Sequence, residues 1–336
     1  MNIVELTRAL VDIESITENE GKVGSYLYHC LSEIAAKTGG QVEKMDVEPG
    51  RFNVFARWGE PVVTLSTHMD TVPPFFPSRE DSEFIWGRGA CDAKGIIAAM
   101  VTAAAELLGQ GVRRFALLFV VGEERNSAGA AVAARTPRGS KYLVNGEPTE
   151  NKLALASKGT LRFELVAQGK MAHSAYPELG ESAIESLLDA LEAIRKVPLP
   201  RDPLLGPSTM NIGTISGGRA PNVVADAAKA EILVRMVGDA APVREALAEA
   251  VGRRAQLIEV LFIPPIRFQS VDGMPTTVVS FTTDVPVFGR SWGEPLLVGP
   301  GSIHVAHTQD ERISKRALSE APGMYVNVVK SLLARP

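Results

Sequence analysis

Seven consecutive apolar residues, Phe115-Ala116-Leu117-Leu118-Phe119-Val120-Val121, run without a break into Gly122-Glu123-Glu124. Their length and their aromatic and β-branched content predict a buried strand. Shorter runs of the same kind recur. Pro61-Val62-Val63-Thr64-Leu65 leads to His68, Lys141-Tyr142-Leu143-Val144 leads to Asn145-Gly146-Glu147, and Leu296-Leu297-Val298 leads to Gly299-Pro300-Gly301. Between them lie helical stretches, Lys22 to Lys37 stopped by Gly39-Gly40 and the Ala-rich Ile96 to Leu108 stopped by Gly109. Strands alternating with helices predict an α/β fold with a mainly parallel central sheet. In such sheets ligands bind beyond the carboxyl ends of the strands. His68, Glu123, Glu124 and Glu147 all fall there, a clustering that independent surface charges would not produce.

The pattern changes near Ser157. Leu161–Gln168 alternates like a half-exposed strand, and Gly180 to Lys196 has the spacing of an amphipathic helix. Strands near 208–215 and 225–237, a helix at 242–253 and a strand at 255–262 follow. This β-α-β-β-α-β order is that of a small ferredoxin-like α+β unit. The tail then resumes the first pattern, so residues 157–265 read as an insertion between 1–156 and 266–336. The N-terminal residues 3–14 and the stretches 41–47 and 53–58 complete the first part as a helix and two strands.

A net charge of -4, with basic residues scattered along the chain, gives no footprint for nucleic acid. Only Cys30 and Cys91 occur, so no disulfide framework is implied and a reducing, cytoplasmic setting fits. The N-terminus lacks the basic and apolar regions of a signal peptide, and no run reaches the ~18 apolar residues of a membrane helix.

The chemistry lies in His68, Asp92, Glu123, Glu124, Glu147 and His307, each at a strand end or in a turn. The set is rich in imidazole and carboxylate and poor in thiolate, which suits zinc, cobalt or manganese in a hydrolytic site. Two metals need roughly seven protein contacts, so one carboxylate must bridge; Asp92, in a turn bracketed by glycines, is the natural bridge. As an ordinary residue, Asp92 would be a helix N-cap, and His68 with Asp70 a loop hydrogen bond. A water between two such ions ionises near neutral pH. Of the adjacent Glu123 and Glu124, one can face the metal and the other take the proton of that water. No G-x-G-x-x-G follows a strand, which disfavours a dinucleotide enzyme. His304 reads as a surface residue or a group behind the ligands, Cys91, beside Asp92, as a disfavoured nucleophile or thiolate ligand, and His29 with Cys30 as a helix-face pair.

Five ordered stretches, His68-Met69-Asp70-Thr71-Val72-Pro73, Gly87 to Gly95, Gly122-Glu123-Glu124, Gly146-Glu147-Pro148, and Gly299-Pro300-Gly301 with Ala306-His307-Thr308, carry a resemblance. They are similar to those of the co-catalytic zinc hydrolases that include acetylornithine deacetylase, succinyl-diaminopimelate desuccinylase, aminoacylase and carboxypeptidases of the same fold. The likeness runs nearly end to end. It implies two divalent metal ions, zinc with cobalt able to substitute, one held by His68, Asp92 and Glu147 and the other by Asp92, Glu124 and His307. Glu123 becomes the general base, Asp70 the partner behind His68, and the Asp92–Ala93 peptide is expected to be cis.

In the insertion, Gly169-Lys170-Met171-Ala172-His173-Ser174-Ala175 resembles the stretch whose histidine stabilises an oxyanion, and Gly217 to Val224 a lid motif that includes Asn222. Arg235 falls where relatives carry a lid arginine. The resemblance therefore implies a lid and dimerisation domain, a homodimer, and His173 at the reaction centre. Ala225 replaces a usual proline after the lid motif. The expected activity is hydrolysis of the amide of a small N-acyl amino acid. The segment Gly299-Pro300-Gly301-Ser302-Ile303 followed by Ala306-His307 favours the acetylornithine deacetylase branch, and with it arginine biosynthesis. Arg235 or Arg267 would take the α-carboxylate. The desuccinylase and di- or carboxypeptidase activities are the alternatives. A non-enzymatic binding relative is disfavoured because Glu123 and all five ligands are retained.

Overall fold

The computed structural model describes residues 2–335. The chain forms two compact units. The first comprises residues up to Leu155, Phe268–Thr277, and Thr283 onward; the second comprises Ala156–Arg267 with Val278–Thr282. Lys158 N–H donates to the Val279 carbonyl at 3.1 Å, which ties the stretch around Val279 to the second unit.

The first unit is built on a six-stranded sheet in the order Gln41–Glu48, Arg51–Trp58, Phe115–Val120, Val63–His68, Tyr142–Asn145, Glu294–Leu297. Phe115–Val120, Val63–His68, Tyr142–Asn145 and Glu294–Leu297 run parallel, and Arg51–Trp58 runs antiparallel to its two neighbours. The apolar run from Phe115 serves both faces of the sheet. Phe115, Leu117 and Phe119 join one core with the helices Ile3–Val11, Lys94–Gly109 and Lys315–Leu333. Ala116, Leu118 and Val120 join another with Ala130, Ala133, Phe288 and Trp292. The period of two in a strand sends alternate side chains to opposite faces, and here both are covered.

Local chemistry fixes the helix ends. The Asn2 side chain accepts from the amides of Val4 and Glu5, and Gly39 closes Gly21–Thr38 in the left-handed region at φ 75°. The first helix stops at Val11, short of the expected 14, and Asp12 beyond it accepts from Ser78 N at 2.6 Å. The helices Ala128–Arg135 and Lys315–Leu333 are not legible in the residues; the second contains Pro322 in its interior, which costs a backbone hydrogen bond.

The second unit has a four-stranded antiparallel sheet in the order Thr209–Gly217, Ala227–Met236, Gly159–Gln168, Gln256–Ile263. Leu161, Phe163 and Leu165 share a core with Leu187, Leu191 and Ile194 of Ala183–Arg195 and with Val243, Leu247 and Val251 of Ala241–Val251. The first of these helices starts at Ala183 instead of near 180, because the Ser182 hydroxyl caps it by accepting from Glu185 N. Among the described residues no helix is long and apolar enough to cross a membrane.

Candidate metal centre and active site

Strand register sets the site. His68 ends its strand level with Val120, so the chain leaving Val120 carries Glu123 and Glu124 over the same sheet edge. Gly122 makes that turn at φ 81°, where a Cβ would come within 2.9 Å of Asn126 Oδ1. Asn145 lies level with Ser66, which puts Glu147 two residues beyond the edge. Asp92 comes from the loop before Lys94–Gly109, and the Asp92–Ala93 peptide is cis. His307 comes from the loop after Glu294–Leu297.

Asp92 lies between two imidazoles. Its Oδ1 is 3.0 Å from His68 Nε2 and its Oδ2 is 3.4 Å from His307 Nε2. His307 Nε2 is also 3.0 Å from Glu124. One donor atom each from His68, Asp92 and Glu124 falls within a span of 4.8 Å. Glu147 is buried, with Asn145 Nδ2 donating to it at 3.4 Å.

Asp70 does more than stand behind His68. His68 Nδ1 lies 3.0 Å from the Asp70 carbonyl and 3.6 Å from its carboxylate. That carboxylate accepts from the amides of Glu123 and Glu124, at 3.0 and 3.1 Å, and from the Thr17 hydroxyl at 2.8 Å. One buried residue thus orients the imidazole through its carbonyl, and the turn that carries the paired glutamates through its side chain.

The electrostatics follow from burial. Desolvation, then the neighbouring Glu147, pushes the Glu123 carboxyl well above the usual carboxylate range. Glu147 is raised in the same way, by burial and then by Asp92. Burial would raise Asp92 too, but His307 and His68 outweigh it and hold the group low. Burial pulls His68 down, yet Asp70 and Asp92 leave it well above an ordinary imidazole.

Among the described residues no lysine or arginine pairs with Asp92, Glu124 or Glu147. Three buried or nearly buried carboxylates and two imidazoles, with no lysine or arginine among them, are a donor set that fits divalent metal ions. Cys91 is buried and its thiol is raised, by burial first and then by Glu311 and Asp92, so it is poorly suited to thiolate ligation. His304 is exposed.

The second unit brings together two of the other expected residues. His173 forms an isolated bridge with Val223, and Ser174 N–H donates to the Asn222 carbonyl at 3.0 Å, so exposed His173 and Asn222 are neighbours. Arg235 donates to the Thr160 hydroxyl at 2.8 Å and has no carboxylate partner among the described residues. Its guanidinium is depressed by burial. Arg267 is exposed and paired with Asp202 at 2.8 Å.

Besides Glu20, which pairs with Arg51, two buried carboxylates escaped the sequence reading. Asp284 is 1 % exposed, and burial pushes it up to about 7. Glu311 lies in Gln309-Asp310-Glu311-Arg312, which reads as an exposed charged loop, yet it is 1 % exposed. Its one signal was its position four residues after His307.

Comparison with known proteins bears on the whole chain. A model of peptidase family M20/M25/M40 matches residues 64–331. A peptidase M20 domain-containing protein of Schizosaccharomyces pombe is 38% identical over 338 residues, covering 98% of this chain and 84% of that protein. A probable carboxypeptidase of Aspergillus flavus is 37% identical over 377 residues, covering 98% and 90%. In fold, the crystal structure of aminopeptidase PepT from Bacillus cereus is similar with a TM-score of 0.82 at 21% identity, covering 98% of both chains.

Proposed function

Because the chain belongs to peptidase family M20/M25/M40, we propose that it is a divalent-metal-dependent hydrolase of amide bonds in small substrates with a free α-carboxylate. The carrying observation is the Asp92 carboxylate between the imidazoles of His68 and His307, with Glu124 closing the group. His68, Asp92 and Glu147 would hold one ion, and Asp92, Glu124 and His307 the other. Bound there, two zinc ions would supply Lewis acidity and bring the ionisation of water close to neutral pH.

The chain's own residues do the rest. Glu123 takes a proton from the attacking water as the new C–O bond forms, and returns it to the amine nitrogen as the C–N bond breaks. Burial and the neighbouring Glu147 raise its carboxyl above the usual carboxylate range. Asp70 fixes the backbone of Glu123 and so aims that carboxyl.

For the substrate carboxylate, Arg235 is preferred to Arg267. A part-buried guanidinium without an acid partner has two donor edges to offer, whereas Arg267 is already paired. Names such as probable carboxypeptidase among the relatives support a substrate with a free C-terminal carboxylate. The proposal gives His173 the developing oxyanion and Asn222 a substrate contact, and makes residues 157–265 a lid and homodimer domain. Within this class, the Gly299 to His307 segment favours acetylornithine over succinyl-diaminopimelate.

The test is a panel of acetylornithine, succinyl-diaminopimelate, N-acetyl amino acids, dipeptides and their C-terminal amides, each with and without chelator. Cleavage lost on chelation, and restricted to substrates with a free carboxylate, is expected. Chelator-resistant cleavage, or equal cleavage of the amides, overturns the reading. Faster cleavage of the succinylated substrate overturns only the acetylornithine preference.

A further inference from the structure

We propose that Glu311 is a positioning residue for the metal centre, a buried carboxylate that fixes the backbone from which Asp92 projects. The inference rests on the metal-centre reading above. Glu311 Oε1 accepts from three amides of one loop: Gly89 at 2.9 Å, Cys91 at 3.3 Å and Asp92 at 3.2 Å. The Cys91 thiol donates to the same oxygen at 3.7 Å. Oε2 accepts from Arg88 Nη1 at 2.6 Å, and both residues are 1 % exposed.

The clamp is itself held. Arg88 Nε donates to the Pro74 carbonyl at 3.2 Å, and its guanidinium lies 4.8 Å from the Phe76 ring centroid. The Glu311 carbonyl accepts from Gly87 N at 3.1 Å, and Arg312 pairs with Trp86 across antiparallel strands. A strand pair running directly into the Asp92 loop thus sets the place of the carboxylate. Backbone at Gly89 has φ 84°, and a Cβ there would come within 2.8 Å of Thr71 Cγ2, so the loop is bound to this one path.

Three amides converging on one oxygen ask for a charged acceptor, and a buried carboxylate needs the counter-charge that Arg88 supplies. The same segment carries His307 four residues earlier. Glu311 therefore anchors one ligand group through the backbone it grips and another through its own chain. Groups that orient ligands in this way typically contribute about 10–100-fold to metal affinity.

The experiment measures cobalt affinity by competition with a chromophoric chelator, together with the visible cobalt spectrum and the melting temperature of the metal-free protein. Wild type is compared with Glu311→Gln, which is close in shape but presents a neutral amide to Arg88. Expected is folded variant with cobalt affinity lower by about 10–100-fold and an altered spectrum. A folded variant whose affinity lies within threefold of wild type overturns the proposal. If Glu311→Gln does not fold, Glu311→Asp, which keeps the charge but withdraws it from the amides, is judged by the same criteria. Failure of both to fold makes Glu311 a stability residue only and likewise overturns it. Wild-type protein that binds no cobalt overturns the metal-centre reading, and this one with it; a wild type that binds beside an unchanged variant overturns this one alone.

Discussion

Glu123 is where residue type and environment converge on one role. Its carboxyl is raised by burial and by Glu147, and its backbone is held by Asp70. Replacing it with glutamine keeps the shape and removes the proton carrier. Glu123→Gln should bind the same number of metal equivalents as wild type while kcat falls by about 100-fold or more. A kcat above a tenth of wild type, measured at saturating substrate, would remove Glu123 from that role. The candidate imidazoles and carboxylates at this scale were legible because they follow apolar runs or sit in glycine-bracketed turns. The grip of Asp70 on two glutamate amides was not, since hydrogen bonds across 53 and 54 residues of chain leave no local pattern.

At the scale of elements, the strand Phe115–Val120 carries the argument for the sheet, and Leu117 sits near its middle, fully buried and level with Leu65 and Ala56 on its neighbours. Leu117→Ala should lower unfolding stability by about 2–5 kcal/mol, because close-packed neighbours on both sides cannot fill the space. Urea titration checks this, and a loss below about 1 kcal/mol would mean that the strand repacks freely. Uninterrupted apolar runs and Gly-terminated helices announced most elements. Ala128–Arg135 and Lys315–Leu333 hid because their faces are completed by partners distant in sequence, and because Pro322 reads as a stop.

For the whole molecule, each unit has a hydrophobic core of its own, and Trp58, Trp86 and Trp292 all belong to the first. Tryptophan fluorescence therefore reports that unit, while far-ultraviolet circular dichroism reports both. Removing metal should lower the fluorescence transition, since a ligand that binds only the native state stabilises it by mass action. Leu165→Ala, in the second core, should shift the dichroism signal and leave the fluorescence midpoint in place. A fluorescence midpoint that moves equally with Leu165→Ala would show one cooperative unit instead. What the sequence by itself determined was the alternation of elements, the mainly parallel sheet and the set of residues fit to hold metal, because periodicity and side-chain chemistry are local properties. Tertiary structure alone decided that Asp92 stands between two imidazoles, that Asp70 holds the glutamate turn, and that Glu311 with Arg88 lies buried beneath the Asp92 loop. Those arrangements join segments far apart in the chain, and only packing can say which charges meet and which lose their water.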